Sequence, residues 1–210
     1  MGNTTLTPQQ VASELARLAR EAEACRACPL GDVRTQAVFG VGSPQTDIMF
    51  VGEAPGFHED QKGEPFVGAA GQLLTRLIET KLGLKRSDVY FANVLKCRPP
   101  GNRDPQPIEV ETCRPFLEQQ LELIRPRVVV ALGNFAAKLL TGTQTGISRL
   151  REKRFTQPYG TLLCTYHPAA ALRGGAAADG IAKDFEKIRD VLAEQPELTE
   201  EPAEQLDLFG

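Results

Sequence analysis

Four short apolar runs alternate with helical patterns along this sequence, and this alternation constrains the fold more than any other feature. The runs lie at residues 47–51, 89–95, 127–132 and 161–166. Apolar residues recur at helical spacing between and after them, at 69–82, 107–124, 133–141 and 179–193. Strands that alternate with helices form βαβ units, which build a parallel sheet covered on both faces. The sequence therefore predicts a single-domain, three-layer α/β/α fold.

One further helix is predicted before the first strand. Residues 7–10 fit a capping box with proline at the first helical position. Apolar residues then follow at helical spacing, namely Val11, Leu15, Leu18 and Ala22. We predict an amphipathic helix over 8–24.

Unusual polar residues follow the predicted strands, at the point where each strand ends. GEAPG follows the first strand, the segment from Asn93 to Cys97 closes the second, and Gly133-Asn134 follows the third. His167-Pro168 follows the fourth. Ligands of open parallel sheets bind beyond the carboxyl ends of the strands. We therefore expect a ligand site at this edge of the sheet.

Length and composition indicate one globular domain. The chain has 210 residues, of which 41% are hydrophobic, and we predict a domain at 1–194 followed by a flexible acidic tail at 195–210. No apolar run reaches 18 residues, and the first residues lack the basic and apolar regions of a secretory signal. A cytoplasmic location is expected.

Charge is distributed unevenly along the chain. The net charge is −3, but the segment from Asp190 onward holds seven acidic residues and no basic residue. Residues 1–189 therefore carry 24 basic and 20 acidic residues, which gives them a net charge of +4. An acidic tail on a mildly basic body is compatible with a polyanionic ligand.

Four of the five cysteines are spaced as two pairs, Cys25 with Cys28 and Cys97 with Cys113. Four thiolates suffice to close one metal site, and ligation at Cys97 and Cys113 would anchor the proline-rich loop between them. Ligand type alone leaves both zinc and an iron–sulfur cluster open. Cys164 alternates with apolar neighbours in the fourth strand, so we interpret it as a core residue.

The connection after the first strand is unusually long. Residues 52–71 contain five glycines, two prolines and four acidic residues, whereas such connections usually need two to six residues. Gly52 would let the backbone approach a flat ligand closely. Glu53 is a candidate base that activates water, and Phe66 is placed to stack on a planar group.

Two polar residues at other strand ends complete a candidate pocket. Asn93 interrupts an apolar strand, and its amide could pair with the edge of a pyrimidine or, equally, with neighbouring backbone. His167 could be structural, or it could stabilise developing negative charge. A carboxylate, an aromatic plate, an amide and an imidazole that converge in this way would suit a flipped nucleobase.

The motifs around these residues resemble those of the family 4 uracil-DNA glycosylases, the iron–sulfur branch of the uracil-DNA glycosylase superfamily. The resemblance covers about residues 25–191 and rests on CRACPL, VGEAPGFHEDQKGEPFVGAAGQLL, NVLKCRPPGNRDP with the later ETCRP, VVVALG and YHPAAALR. It implies a four-stranded parallel sheet of order 2-1-3-4. It also implies a DNA-repair hydrolase that cleaves the N-glycosidic bond of uracil, with a [4Fe–4S] cluster on Cys25, Cys28, Cys97 and Cys113.

The resemblance further implies a role for each pocket residue. Glu53 would activate water, while His167 and backbone N–H groups near Gly52 and Ala54 would stabilise the uracil anion. Three side chains would contact the base itself: Phe66 stacks on it, Asn93 reads its edge, and Glu59 excludes the methyl group of thymine at C5.

DNA contacts are implied around the pocket. Leu172 would enter the minor groove left by the flipped base, with Arg173 beside a phosphate. Candidates for further phosphate contacts, which would make binding sensitive to salt, are Arg98, Arg103, Arg149, Arg151, Lys153 and Arg154.

The composition of the loop between Cys97 and Cys113 indicates whether the enzyme releases its product or stays attached to DNA. A related branch of the superfamily forms a covalent adduct with DNA through a histidine in a basic insertion of this loop. Here the loop contains no histidine and few basic residues, so turnover is expected. Because no lysine matches the position of an amine nucleophile, we expect a monofunctional enzyme that leaves an abasic site. We also expect it to be a monomer.

The end of the chain carries a second short motif. QLDLF, from Gln205 to Phe209, resembles the peptide by which bacterial proteins dock on the replication sliding clamp. A polar tether with an apolar end suits such docking. The motif predicts the clamp as a partner, a bacterial source and action at the nucleoid.

Two other functions remain open. The chain could be a non-catalytic iron–sulfur sensor of DNA that has kept the pocket, or a zinc-stabilised nucleotide-binding protein. The presence of all four pocket residues favours the enzyme, because a pure binder would not need the complete set: Glu53, Phe66, Asn93 and His167. A colourless protein would favour zinc.

Overall fold

The computed structural model describes residues 6–194. Its helices are α1 (Pro8–Ala24), α2 (Leu30–Val33), α3 (Phe57–Lys62), α4 (Ala69–Leu77), α5 (Pro107–Ile124), α6 (Asn134–Thr141), α7 (Ile147–Leu150), α8 (Pro168–Ala171) and α9 (Ala176–Ala193). A π-helical turn continues α4 over Ile78–Leu82. Its strands are β1 (Val41–Gly42), β2 (Ile48–Gly52), β3 (Tyr90–Asn93), β4 (Val128–Leu132), β5 (Arg154–Gln157) and β6 (Gly160–Thr165).

All six strands form one sheet, in the order β1-β3-β2-β4-β6-β5. The four predicted strands are its centre, β3-β2-β4-β6, and they pair in parallel in the implied order 2-1-3-4. However, β1 and β5 add an antiparallel strand at each edge. The prediction of a purely parallel, four-stranded sheet is therefore wrong, because the sheet is mixed and has six strands.

The two edge strands lack the pattern on which the prediction relied. β1 has only two residues, both exposed, and β5 alternates exposed with half-buried residues. Edge strands are commonly short and polar, which limits pairing with other chains. Neither strand therefore contains an apolar run that a sequence reading would detect.

Helices cover both faces of the sheet. Because successive strand residues point to opposite faces, Met49 and Val51 pack with α1, α5 and α6, whereas Phe50 packs with α4 and α9. The Phe50 ring stacks against the rings of Phe91 and Phe185, with centroids 5.7 Å and 5.9 Å away. This arrangement has the three layers that the sequence predicts.

Two predicted helices match the structure in full, and a third differs at its start. The helices predicted at 8–24 and 107–124 coincide with α1 and α5. The capping box forms at α1, where Thr7 Oγ1 accepts from the Gln10 N–H at 3.3 Å and Gln10 Oε1 from the Thr7 N–H at 2.7 Å. α9 begins three residues before the predicted 179, after Gly175, whose φ of 68° suits glycine.

Within residues 6–194, no helix is long and apolar enough to cross a membrane.

Asp184 of α9 forms a buried ion pair with Arg151, which follows α7, and a hydrogen bond with the end of β6. Arg151 donates to both carboxylate oxygens of Asp184 at 2.8 Å and 2.9 Å, and the Thr165 hydroxyl donates to Asp184 at 2.7 Å. The Arg151 and Asp184 side chains are 12% and 3% exposed. Because Thr165 ends β6, this network fixes the chain immediately before His167.

Replacing Asp184 with alanine would leave Arg151 as a buried charge without this partner. We expect the free energy of unfolding, measured by urea denaturation, to fall by about 3 kcal/mol. Arg189→Met is the matched control, because it removes an exposed ion pair with Asp190 and should change stability by less than about 1 kcal/mol. Equal effects of the two substitutions would contradict the role given to the buried pair.

Candidate active site

The carboxyl ends of β2 and β3 and the residues after β6 surround a cavity of about 310 Å³, which we call the edge cavity. It brings together six of the residues predicted for the pocket: Glu53, Ala54, Glu59, Phe66, Asn93 and His167. A second cleft of about 650 Å³ shares Glu53 and His167 with it. The carboxylate and the imidazole therefore lie where the two cavities meet.

Glu53 follows β2 directly and carries a carboxylate with no hydrogen bond to the rest of the described chain. Its backbone oxygen accepts from the Leu95 N–H at 3.0 Å, which fixes the residue against the segment after β3. Burial raises the pKa of Glu53 above the usual range of glutamate, and the negative charge of Asp104 raises this pKa further. A carboxylate with a raised pKa is a stronger general base.

Phe66 is held in a backbone conformation that is rare for a bulky residue, with a φ of 56°. The residue is 7% exposed, and its ring centre lies 6.3 Å from that of His167. Glu59 holds the loop, because its Oε1 accepts from the backbone N–H groups of Val67 and Gly68, both at 3.0 Å. Such a conformation persists only where neighbouring contacts fix it.

Glu59 thus has a structural role that the sequence did not indicate. Its other carboxylate oxygen lies next to Gly56, where an added Cβ would come within 2.7 Å of it. The carboxylate therefore sits between the first and last parts of the loop at 52–71. Its implied contact with the C5 position of the base stays a prediction.

Asn93 is 3% exposed, and its side-chain amide forms no hydrogen bond with other residues in the described range. The alternative in which neighbouring backbone pairs with the Asn93 amide therefore does not apply. Gly52 pairs with Asn93 across the sheet, and a Cβ on Gly52 would overlap Asn93 Oδ1 and lie 2.7 Å from Phe66 Cζ. Since buried amides are nearly always paired, this amide is suited to a ligand.

His167 caps the N-terminus of α8. Its Nδ1 accepts a hydrogen bond from the Ala169 N–H at 3.1 Å, so the proton of the neutral ring is on Nε2. Burial lowers the pKa of His167, an effect that the carboxylate of Glu59 partly opposes. At neutral pH the residue is therefore a neutral imidazole that can donate one hydrogen bond.

The four paired cysteines line a single cavity beside α1, α2 and α5, which we call the cysteine cavity. All four are free thiols. Within the described range, no group of three or more His, Cys, Asp or Glu side chains is arranged to hold a single metal ion. Four cysteine sulfurs around one cavity are a donor set that either a zinc ion or an iron–sulfur cluster can use.

Hydrogen-bond donors approach two of these sulfurs. Arg34 Nη1 lies 2.8 Å from Cys97 Sγ, and the backbone N–H of Lys96 lies 3.2 Å from Cys113 Sγ. Burial raises the pKa of Cys97, and it raises that of Cys113 to about 11. Such donors stabilise thiolate ligands once a metal group binds.

Cys164 is 3% exposed within the core, which confirms its predicted structural role.

The residues predicted to contact DNA differ in their surroundings. Leu172 is 47% exposed directly after α8, and Arg173 beside it is also exposed. Arg98 stacks over the exposed ring of Phe57 at 5.2 Å. These positions agree with contacts outside the edge cavity and remain predictions.

Two of the predicted arginines pair with buried carboxylates. Arg103 lines the edge cavity but pairs with the buried carboxylate of Glu109 at 2.5 Å. Arg151 is nearly buried, and its guanidinium is occupied by Asp184. The structure therefore does not support Arg151 as a phosphate contact. Its position in a basic stretch of sequence gave no sign of the distant carboxylate.

Sequence reasoning missed three residues near the site. Asp104 raises the pKa of Glu53, and Arg34 donates to Cys97, but neither position carries a pattern that could have indicated this. Lys96 is 1% exposed, and burial lowers its pKa to about 8. The lysine inside the apolar stretch NVLKC could have indicated that this side chain is buried.

The clamp motif at 205–209 lies outside the described residues.

Comparison with known proteins agrees with the site. The model of the uracil DNA glycosylase superfamily matches residues 39–193. The type-4 uracil-DNA glycosylase of Archaeoglobus fulgidus is 47% identical over 190 residues, covering 86% of this chain and 95% of the relative. The type-4 enzyme of Sulfurisphaera tokodaii is 43% identical, covering 84% of each chain, and that of Thermotoga maritima is 42% identical, covering 81% and 91%. This chain therefore belongs to the uracil DNA glycosylase superfamily and to its type-4 branch.

Proposed function

We propose that this chain excises uracil from DNA by hydrolysing the N-glycosidic bond, and that it is monofunctional. The observation that carries the proposal is the buried, unpaired amide of Asn93 in a cavity that also contains Glu53, Phe66 and His167. A pyrimidine extruded from the duplex offers this amide both an acceptor and a donor. The relatives named above are uracil-DNA glycosylases over nearly the same length.

Binding would begin with extrusion of the nucleotide into the edge cavity. The amide of Asn93 would donate to uracil O4 and accept from N3–H, while the base stacks on Phe66. The loop held by Glu59 keeps Phe66 in place before the base arrives. This pre-organised loop would also leave no room for the methyl group of thymine.

Hydrolysis separates charge between the sugar and the base. Glu53 would orient water at C1′ and favour the cationic sugar, as carboxylates do in glycoside hydrolysis. His167 would donate its Nε2–H to uracil O2, where negative charge develops, because Nδ1 is already occupied by the Ala169 N–H. Backbone N–H groups near Gly52 and Ala54 would add to this stabilisation.

An abasic site is the proposed product. Among the described residues that line the edge cavity there is no lysine, so no amine is positioned there to form an imine with the sugar. Lys138 lines the neighbouring cleft. Reduction with borohydride would trap an imine formed in the edge cavity or at Lys138.

The proposed cofactor is a [4Fe–4S] cluster held by Cys25, Cys28, Cys97 and Cys113. When bound, the cluster would cross-link the segment after α1, the loop after β3 and α5, and it could carry one electron. The proposal is supported by the shared cysteine cavity and by the donors at Cys97 and Cys113. Analysis of iron, acid-labile sulfide and zinc in the purified protein distinguishes the cluster from a zinc site.

Asn93→Asp tests how the base is read. Aspartate only accepts hydrogen bonds, so uracil O4 would lose its donor, whereas the amino group of cytosine would gain an acceptor. Uracil release from DNA in single-turnover assays should fall about 100-fold, since a buried acceptor is left unpaired, and cytosine release should become detectable. Asn102→Asp, at a cavity-lining position whose oxygen already accepts from Arg98, is the matched control. Unchanged base preference in Asn93→Asp would contradict the proposed reading.

The pH dependence of kcat/KM reports on Glu53. The base must be ionised, so activity falls as pH decreases through the raised pKa of Glu53. Asp104→Asn removes a negative charge that raises this pKa, so the acidic limb of the profile should move to lower pH. Asp190→Asn, at an exposed position that lines neither cavity containing Glu53, should leave the limb in place. A profile that is identical in wild type and Asp104→Asn would contradict the assignment of Glu53 as the base.

We also propose that the tail docks on a bacterial sliding clamp through Gln205 to Phe209. Replacing Leu206 and Phe209 with alanine should abolish binding to an immobilised clamp and leave uracil excision unchanged, because the motif lies beyond the catalytic domain. Leu198→Ala is the control within the same tail. Undiminished clamp binding by the double variant would end this proposal.

A further inference from the structure

Lys96 is a buried lysine located between the cysteine cavity and the end of β3, where Asn93 lies. It is 1% exposed, it lines the cysteine cavity, and it directly precedes Cys97. Within residues 6–194, its ammonium forms no ion pair with a carboxylate. Burial of a charge without compensation is strongly unfavourable. Neighbouring groups must therefore make this position suitable for lysine.

Two oxygens accept hydrogen bonds from the ammonium. One is the backbone oxygen of Asn93 at 2.8 Å, and the other is Gln120 Oε1 at 2.6 Å. Gln120 is itself fixed, because its amide donates to the Phe39 carbonyl at 3.0 Å and to the Tyr90 hydroxyl at 3.1 Å. Lys96 therefore connects the end of β3 to α5 through a rigid acceptor.

Both connected elements carry residues of a functional site. β3 ends at Asn93, whose amide faces the edge cavity. α5 carries Cys113, whose sulfur accepts from the backbone N–H of Lys96. Lys96 thus contacts Cys113 through its backbone and the end of the strand that carries Asn93 through its ammonium.

We propose that Lys96 is a positioning residue that couples the cysteine site to recognition of uracil. Its backbone N–H donates to Cys113 Sγ in the cysteine cavity, and its ammonium fixes the strand end that carries Asn93. This inference rests on the proposed function, because it assigns Asn93 to the reading of uracil. Loss of the ammonium should therefore change the cluster and uracil binding together.

The test compares Lys96→Met, which keeps the length of the side chain and removes its charge, with wild type. The inhibition constant of free uracil should rise about tenfold in Lys96→Met, because Asn93 is no longer held by its hydrogen bond. The iron and sulfide content per chain should fall. The midpoint potential of the remaining cluster should shift to lower values, because removing a nearby positive charge disfavours an added electron. The control, Lys85→Met, changes an exposed lysine and should match wild type in all three readouts.

Gln120→Glu keeps the test decisive if Lys96→Met does not fold. This variant retains the ammonium and its hydrogen bond to Asn93 but places a carboxylate against it. The midpoint potential should fall, because the added negative charge offsets the ammonium. The affinity for free uracil should stay at the wild-type value, because the bond to Asn93 remains.

Several results would overturn the coupling. One is a midpoint potential and an iron content that stay at wild-type values in both variants. Another is a changed potential or iron content in Lys96→Met while its affinity for free uracil stays unchanged. A lower melting temperature as the sole effect would make Lys96 an ordinary core residue. A wild-type protein that neither binds nor releases uracil would instead overturn the proposed function, and this result is obtained before any variant is made.

Discussion

The edge cavity depends on the absence of a side chain at the end of β2. Gly52 lies beside Asn93 in the sheet, and an added Cβ would overlap the Asn93 amide and press against the ring of Phe66. These two groups can face a common ligand only because that position is glycine. Parallel pairing of β2 with β3 then sets the distance between the carboxylate that follows one strand and the amide that ends the other.

Two carboxylates in this cavity have different environments and therefore different uses. Glu59 is bonded to backbone N–H groups of the loop after Phe66, so it organises the cavity wall. Glu53 has no such partner in the described chain, and burial with the charge of Asp104 raises its pKa. His167 complements Glu53, because burial keeps it neutral and its Nδ1 is occupied. A base and a hydrogen-bond donor are thus available at the same pH.

The sequence allowed the central strands, most of the long helices and the location of the site to be predicted, because these follow from local periodicity and from the rule for parallel sheets. It did not allow prediction of the edge strands, which lack an apolar pattern. Arg151 looked like a phosphate contact because its partner, Asp184, is distant in sequence and meets it only in the folded chain. The left-handed backbone of Phe66 and the buried position of Lys96 likewise depend on tertiary contacts.

Base release from DNA tests the central claim most directly. Purified protein is incubated with a duplex that carries one U·G pair and, separately, with a matched T·G duplex, and the free base and alkali-labile sites are quantified over several turnovers. The account predicts that uracil is released repeatedly, with one abasic site per uracil, while thymine is retained. Tight binding of the U·G duplex without base release would contradict it.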